Sequence, residues 1–157
     1  MKRVISMVVI VLASQWGHSV HADADAAVAI VVHPAASVSE LSMTQLRKIF
    51  LAEKQFWQDN SRVTILVRAP GAVERELVLD RIYQMKEDEF RQYWIAKMFR
   101  AEVPSGPKIV FSANMALELV KVIKGSITFI SATELTPDAK VIRIDGFLPG
   151  DEGYPLR

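Results

Sequence analysis

Residues 27–32, AVAIVV, are apolar without a break and stop at His33-Pro34. A strand with one wet face alternates apolar and polar side chains, whereas a strand covered on both faces reads as a continuous apolar run. The run therefore predicts a buried strand in a sheet flanked by helices. The next segment agrees. Ser42 stands three residues before Gln45, the spacing of a capping box, and Met43, Leu46, Ile49 and Phe50 recur at helical spacing.

Residues 51–62 (LAEKQFWQDNSR) make a polar connection in which Phe56 and Trp57 are expected to plug the edge of the core. The strand VTILV, residues 63–67, follows. Val73, Leu77, Val78 and Ile82 mark one helix, and Phe90, Tyr93, Trp94 and Met98 mark a second. The second opens on Glu87, Asp88 and Glu89 and closes on Lys97 and Arg100, the order of charge that a helix dipole favours. PSGP (104–107) breaks the chain, and after a brief KIVF, Ser112 caps a helix that stops at Gly125. ITFIS (127–131) and KVIRID (140–145) are β-rich and separated by a Thr-Pro-Asp turn. The order β-α-β-α-α-α-β-β predicts an α/β fold with a mixed β-sheet flanked by helices.

The first 22 of the 157 residues read as a secretory leader. MKR supplies its positive start, residues 4–13 (VISMVVIVLA) fall well short of the roughly 20 residues of a membrane-crossing helix, and Val20 and Ala22 occupy the small-residue positions of a cleavage site. Cleavage after Ala22 predicts a periplasmic protein with no stable membrane insertion; the competing reading is an uncleaved N-terminal anchor. The remaining 135 residues, half of them hydrophobic across the whole chain, suffice for one core. They carry 17 basic against 18 acidic side chains, so there is no basic excess for nucleic acid. The absence of cysteine excludes lipid attachment at a cysteine, disulfides, thiol catalysis and thiolate zinc sites.

Residues 68–76, RAPGAVERE, turn from a strand into a helix. Amides at a helix N-terminus, with an Arg just upstream, suit phosphate or sulfate. Glu74, inside the first helical turn, is favoured by the same dipole and repels an anion. Two opposite readings stand side by side. In one, Arg68, Gly71, Ala72, Val73, Glu74 and Arg75 form a ligand-binding cradle. In the other, Arg68 pairs with Glu74 or Glu76 and braces the turn. Arg75, beside Glu74, is expected to be a solvated side chain, with anion binding as the lesser alternative.

The succession VHPAASVSELSMTQLRKIF, Phe56-Trp57, a strand ending in Arg68, SITFIS, VIRIDG and PGDEGYPL resembles the PstS-like phosphate receptors of ABC transporters, which have the type II periplasmic binding protein fold. The strand-proline-helix opening and the closing IDG…GYPL carry the likeness most specifically. It covers nearly all of the chain after the leader and is similar to shortened, single-domain members, since a full receptor is about twice as long and closes two lobes around its ligand. The resemblance implies one lobe-like domain over residues 23–157, a non-catalytic role, and weak binding of phosphate or another small oxyanion. In the family the turn carries an Arg followed by a Ser-Gly-Thr-like run. Here Arg68 matches the Arg, while Ala72, Val73 and Glu74 replace the run and remove two hydroxyl donors. The alternative is a module that has lost its ligand and contacts an envelope membrane protein, a sensor or a transport component.

Other polar residues point to no chemistry. His33 has no second His or spaced carboxylate for a metal and reads as structural, and Ser37 and Ser39 read as turn or capping residues. With one His beyond the leader and no nucleophile motif, no enzyme, metal or cofactor is expected.

Overall fold

A computed structural model describes residues 27–157; the leader expected over residues 1–22, and with it the expected cleavage site, lies outside the described residues. The elements run β1 (Val28–Val32), β2 (Glu40–Leu41), α1 (Met43–Phe50), β3 (Thr64–Arg68), α2 (Val73–Val78), a π-helical turn (Leu79–Tyr83), α3 (Glu87–Phe99), β4 (Lys108–Val110), α4 (Ala113–Val122), β5 (Ser126–Ser131), a 3₁₀ turn (Ala132–Glu134), β6 (Lys140–Val141) and β7 (Arg143–Ile144). Five strands form one mixed sheet in the order β4-β3-β5-β1-β6, in which β3 is parallel to both β4 and β5 while β1 is antiparallel to β5 and β6. All of β1 is buried, as its unbroken apolar run requires.

Successive strand residues point to opposite faces, so β1 serves two apolar layers. Ile30 and Val32 join Leu46, Ile49, Phe50 and Phe129 on one face; Val31 joins Leu66, Ala116, Leu117 and Ile130 on the other. Phe50 centres the first layer, 5.8 Å from the ring of Tyr83 and 6.2 Å from that of Phe129. The closing GYPL returns to β1: the Tyr154 hydroxyl donates to the Val28 carbonyl at 2.7 Å, and the Val28 amide donates to the Leu156 carbonyl at 2.8 Å. Both expected caps form. Ser42 Oγ accepts from the Gln45 amide at 3.1 Å while Gln45 Oε1 accepts from the Ser42 amide at 2.9 Å, and Ser112 Oγ accepts from the Met115 amide at 3.0 Å.

The departures from expectation lie at element ends. KVIRID is two strands: β6 borders β1, whereas β7 pairs in parallel with β2, a two-residue strand too short to show periodicity. Val73 and Met98 are exposed, since each sits at a helix end beyond the packed stripe. Of the two aromatics in the connection, Trp57 is buried and Phe56 is exposed.

Trp57 is held by a bond from its Nε1 to the Gly125 carbonyl at 2.8 Å. Gly125 itself has φ +78, and a Cβ there would lie 2.3 Å from the carbonyl oxygen of Arg62. Gly125→Ala must therefore move backbone and disturb the Trp57 bond. It is expected to cost about 3 kcal/mol, roughly 10 °C in Tm, as read by thermal denaturation.

Candidate functional site

The turn between β3 and α2 starts from the carboxyl end of β3, where the Ala69 amide donates to the Val110 carbonyl of neighbouring β4. Gly71 supplies the positive φ of +89 that swings the chain toward the helix. Ala72 is the N-cap and offers no side-chain acceptor, and its amide is engaged by the Ala69 carbonyl at 3.3 Å. The amides of Arg75 and Glu76 both return to the Ala72 carbonyl. That leaves the amides of Val73 and Glu74 as the donors this end can present to an anion.

The charged side chains have settled their own partners. Arg68 Nε lies 2.9 Å from Glu74 Oε1, and both side chains are about nine-tenths buried, at 11% and 9% exposure. The two atoms are close in distance without an aligned hydrogen bond, and Arg68 Nη1 is likewise buried without a hydrogen-bond partner among the described residues. The carboxylate of Glu74 thus stands beside Arg68, close to where an oxyanion would approach, but the guanidinium keeps unused donors.

Arg75 is not the solvated side chain that its acidic neighbours suggest. It is 3% exposed and forms a clamp: Nη1 donates to the Arg68 carbonyl at 2.6 Å, while Nε and Nη2 donate to the two oxygens of Glu87 at 2.9 and 2.7 Å. Its guanidinium also lies over the Phe90 ring, 4.8 Å from the centroid. The Arg75 bonds hold the Glu87 carboxyl below the usual carboxylate range. No sequence signal marks this pair, because the two residues belong to different helices joined through the π-helical turn and a left-handed Gln84 at φ 54. Burial pushes the Tyr83 hydroxyl up, and among the described residues it too has no hydrogen-bond partner.

An open groove of about 1020 Å³ runs alongside, and Gly71 and Arg75 line it together with Glu76, Leu79 and Met85. Arg68, Ala72, Val73 and Glu74 do not, so the six candidate residues divide between the buried pair Arg68 and Glu74, the half-buried N-cap Ala72, an exposed Val73, and Gly71 and Arg75 on the groove wall. Among the described residues no cluster of His, Asp and Glu could hold a metal ion, and no helix is long and apolar enough to cross a membrane. His33 Nδ1 accepts from the Ala35 amide at 3.1 Å inside its own turn.

The mixed sheet with helices on both faces is the lobe fold of type II periplasmic binding proteins. Solved structures make the likeness particular. The chain is similar to an ABC-type phosphate transport receptor from Vibrio cholerae (TM-score 0.64, 21% identity, 78% of this chain and 48% of that one). It is also similar to PstS from Borrelia burgdorferi (TM-score 0.65, 16% identity, 83% and 53%) and to a phosphate binding protein from Stenotrophomonas maltophilia (TM-score 0.62, 18% identity, 79% and 40%). The chain spans about half the length of these structures. No protein-family model matches the sequence, and no curated protein does either.

Proposed function

We propose that this chain is a non-catalytic, solute-binding-type domain of the periplasm whose oxyanion cradle is occupied by its own carboxylate. The observation that carries this reading is the buried Arg68, with Glu74 Oε1 2.9 Å from its Nε and an unused donor at Nη1. A phosphate reaching the amides of Val73 and Glu74 must displace that carboxylate and meet its charge, so binding is weak. The likeness to phosphate receptors supports phosphate as the first ligand to test, and the leader-like first 22 residues support export.

A second reading has its own observation. Val73, the first residue of α2, and Phe111, just after β4, are 80% and 75% exposed, apolar side chains suited to a protein partner in the envelope if no ligand enters. Isothermal titration with phosphate and with sulfate tests the first reading. Weak heat or none is expected from the natural sequence. A phosphate dissociation constant below ~1 μM, tighter than about −8.2 kcal/mol, would show that Glu74 does not obstruct the cradle.

A further inference from the structure

At the end of the sheet opposite the turn, where the amino ends of β3 and β4 meet the PSGP segment, the chain forms a half-open cavity of about 200 Å³. Its depth is apolar: Ile49, Ile65, Trp94 and Val103 line it and are all buried. Its cationic groups stand nearer the surface. Lys54 is half-buried, Arg62 and Lys108 are exposed, and no Asp or Glu lines the cavity.

Among the described residues no carboxylate neutralises these cations: neither Lys54 nor Lys108 takes part in an ion pair, and the Arg62 side chain donates to the neutral Gln55 Oε1 at 3.2 Å and lies over the Phe56 ring. Three cationic residues in one lining favour an anion, with no carboxylate in the lining to oppose it. Trp94, 5% exposed, gives the cavity an aromatic wall.

We propose that this cavity binds a small monocarboxylate with a compact apolar body, the body against Ile65, Trp94 and Val103 and the carboxylate among Lys54, Arg62 and Lys108. Size and polarity select this class together. The volume falls below the roughly 300–1,000 Å³ of sites for drug-sized ligands, which limits the body to about one ring. A bare inorganic oxyanion is disfavoured because the apolar depth offers nothing in exchange for its hydration. The site shares no residue with the turn at Arg68 and stands independently of the phosphate reading.

Benzoate is the probe, titrated into the purified protein and followed by the indole N–H resonance of Trp94, assigned from Trp94→Phe, and by the amides of Thr64 and Ser105. Saturable shifts are expected with a dissociation constant near ~1 mM or tighter, in keeping with so small a ligand. Benzamide, nearly the same shape without the charge, is expected to bind about tenfold more weakly. The double variant Lys54→Gln, Lys108→Gln is expected to lose about tenfold for benzoate. Circular dichroism checks that the double variant is folded; if it is not, Arg62→Gln alone takes its place, with a loss of about threefold expected. The proposal is overturned by any one of three results: no saturable shift, benzamide binding as well as benzoate, or sulfate shifting the same resonances as strongly.

Discussion

Glu74→Thr is expected to destabilise the protein by about 3 kcal/mol in anion-free buffer, and phosphate is expected to restore most of the loss. The carboxylate is buried against an equally buried Arg68, and removing one partner leaves the other charge uncompensated, which costs about 3–5 kcal/mol in comparable pairs. The low end applies because the pair is close without being well aligned. An anion entering the vacated position would meet the Arg68 guanidinium, the Val73 amide and a new hydroxyl, each able to make charge-assisted bonds of about 1.5–3 kcal/mol. Phosphate at a hundredfold excess over its dissociation constant stabilises by about 2.7 kcal/mol, close to the deficit. The measurements are Tm with and without phosphate and calorimetric affinity, which should rise about tenfold or more over the natural sequence. Adding Arg68→Ala should abolish the gain. If Glu74→Thr folds, loses stability and gains no phosphate affinity, the pair is a structural brace and the interaction reading takes the place of the cradle.

The difference between what the sequence revealed and what it concealed follows from distance along the chain. The unbroken run of residues 27–32 and the Ser42 and Ser112 caps were legible because each depends on neighbours within a few positions. Pairing of Arg68 with Glu74 or Glu76 was legible as one of two alternatives for the same reason, and the structure selects Glu74. The β2–β7 pair joins residues about a hundred positions apart through strands of two residues each, too short to carry a period. The need for Gly at 125 is a close approach to Arg62, which only tertiary structure sets. The cationic cavity draws on α1, β3, α3 and the PSGP segment, and no stretch of the sequence contains its pattern.

Arg75 is where local reading went furthest astray, and it yields the second large effect. Replacing it with Gln removes the donor to the buried Arg68 carbonyl, both bonds to Glu87 and the stack on Phe90. Glu87 is 39% exposed and can rehydrate, so the full cost of breaking a buried pair does not apply. A loss of about 2–3 kcal/mol is expected, by chemical denaturation at neutral pH. The acid limb separates this clamp from a generic packing loss. Because the folded state holds Glu87 below its ordinary value, its pairing stabilises the protein above an unfolded pKa of about 4.3 and is lost as pH falls through the lower folded value. Stability of the natural sequence should therefore decline with falling pH across that window, and Arg75→Gln should decline less, so the two curves converge in acid. A change below about 0.5 kcal/mol at neutral pH would mean that Arg75 behaves as the solvated side chain its neighbours suggest. Curves that stay parallel into acid would mean that the loss is packing on Phe90 alone. Convergence would place the clamp on the path by which α3 fixes the carbonyl of Arg68, and so the turn that presents its guanidinium.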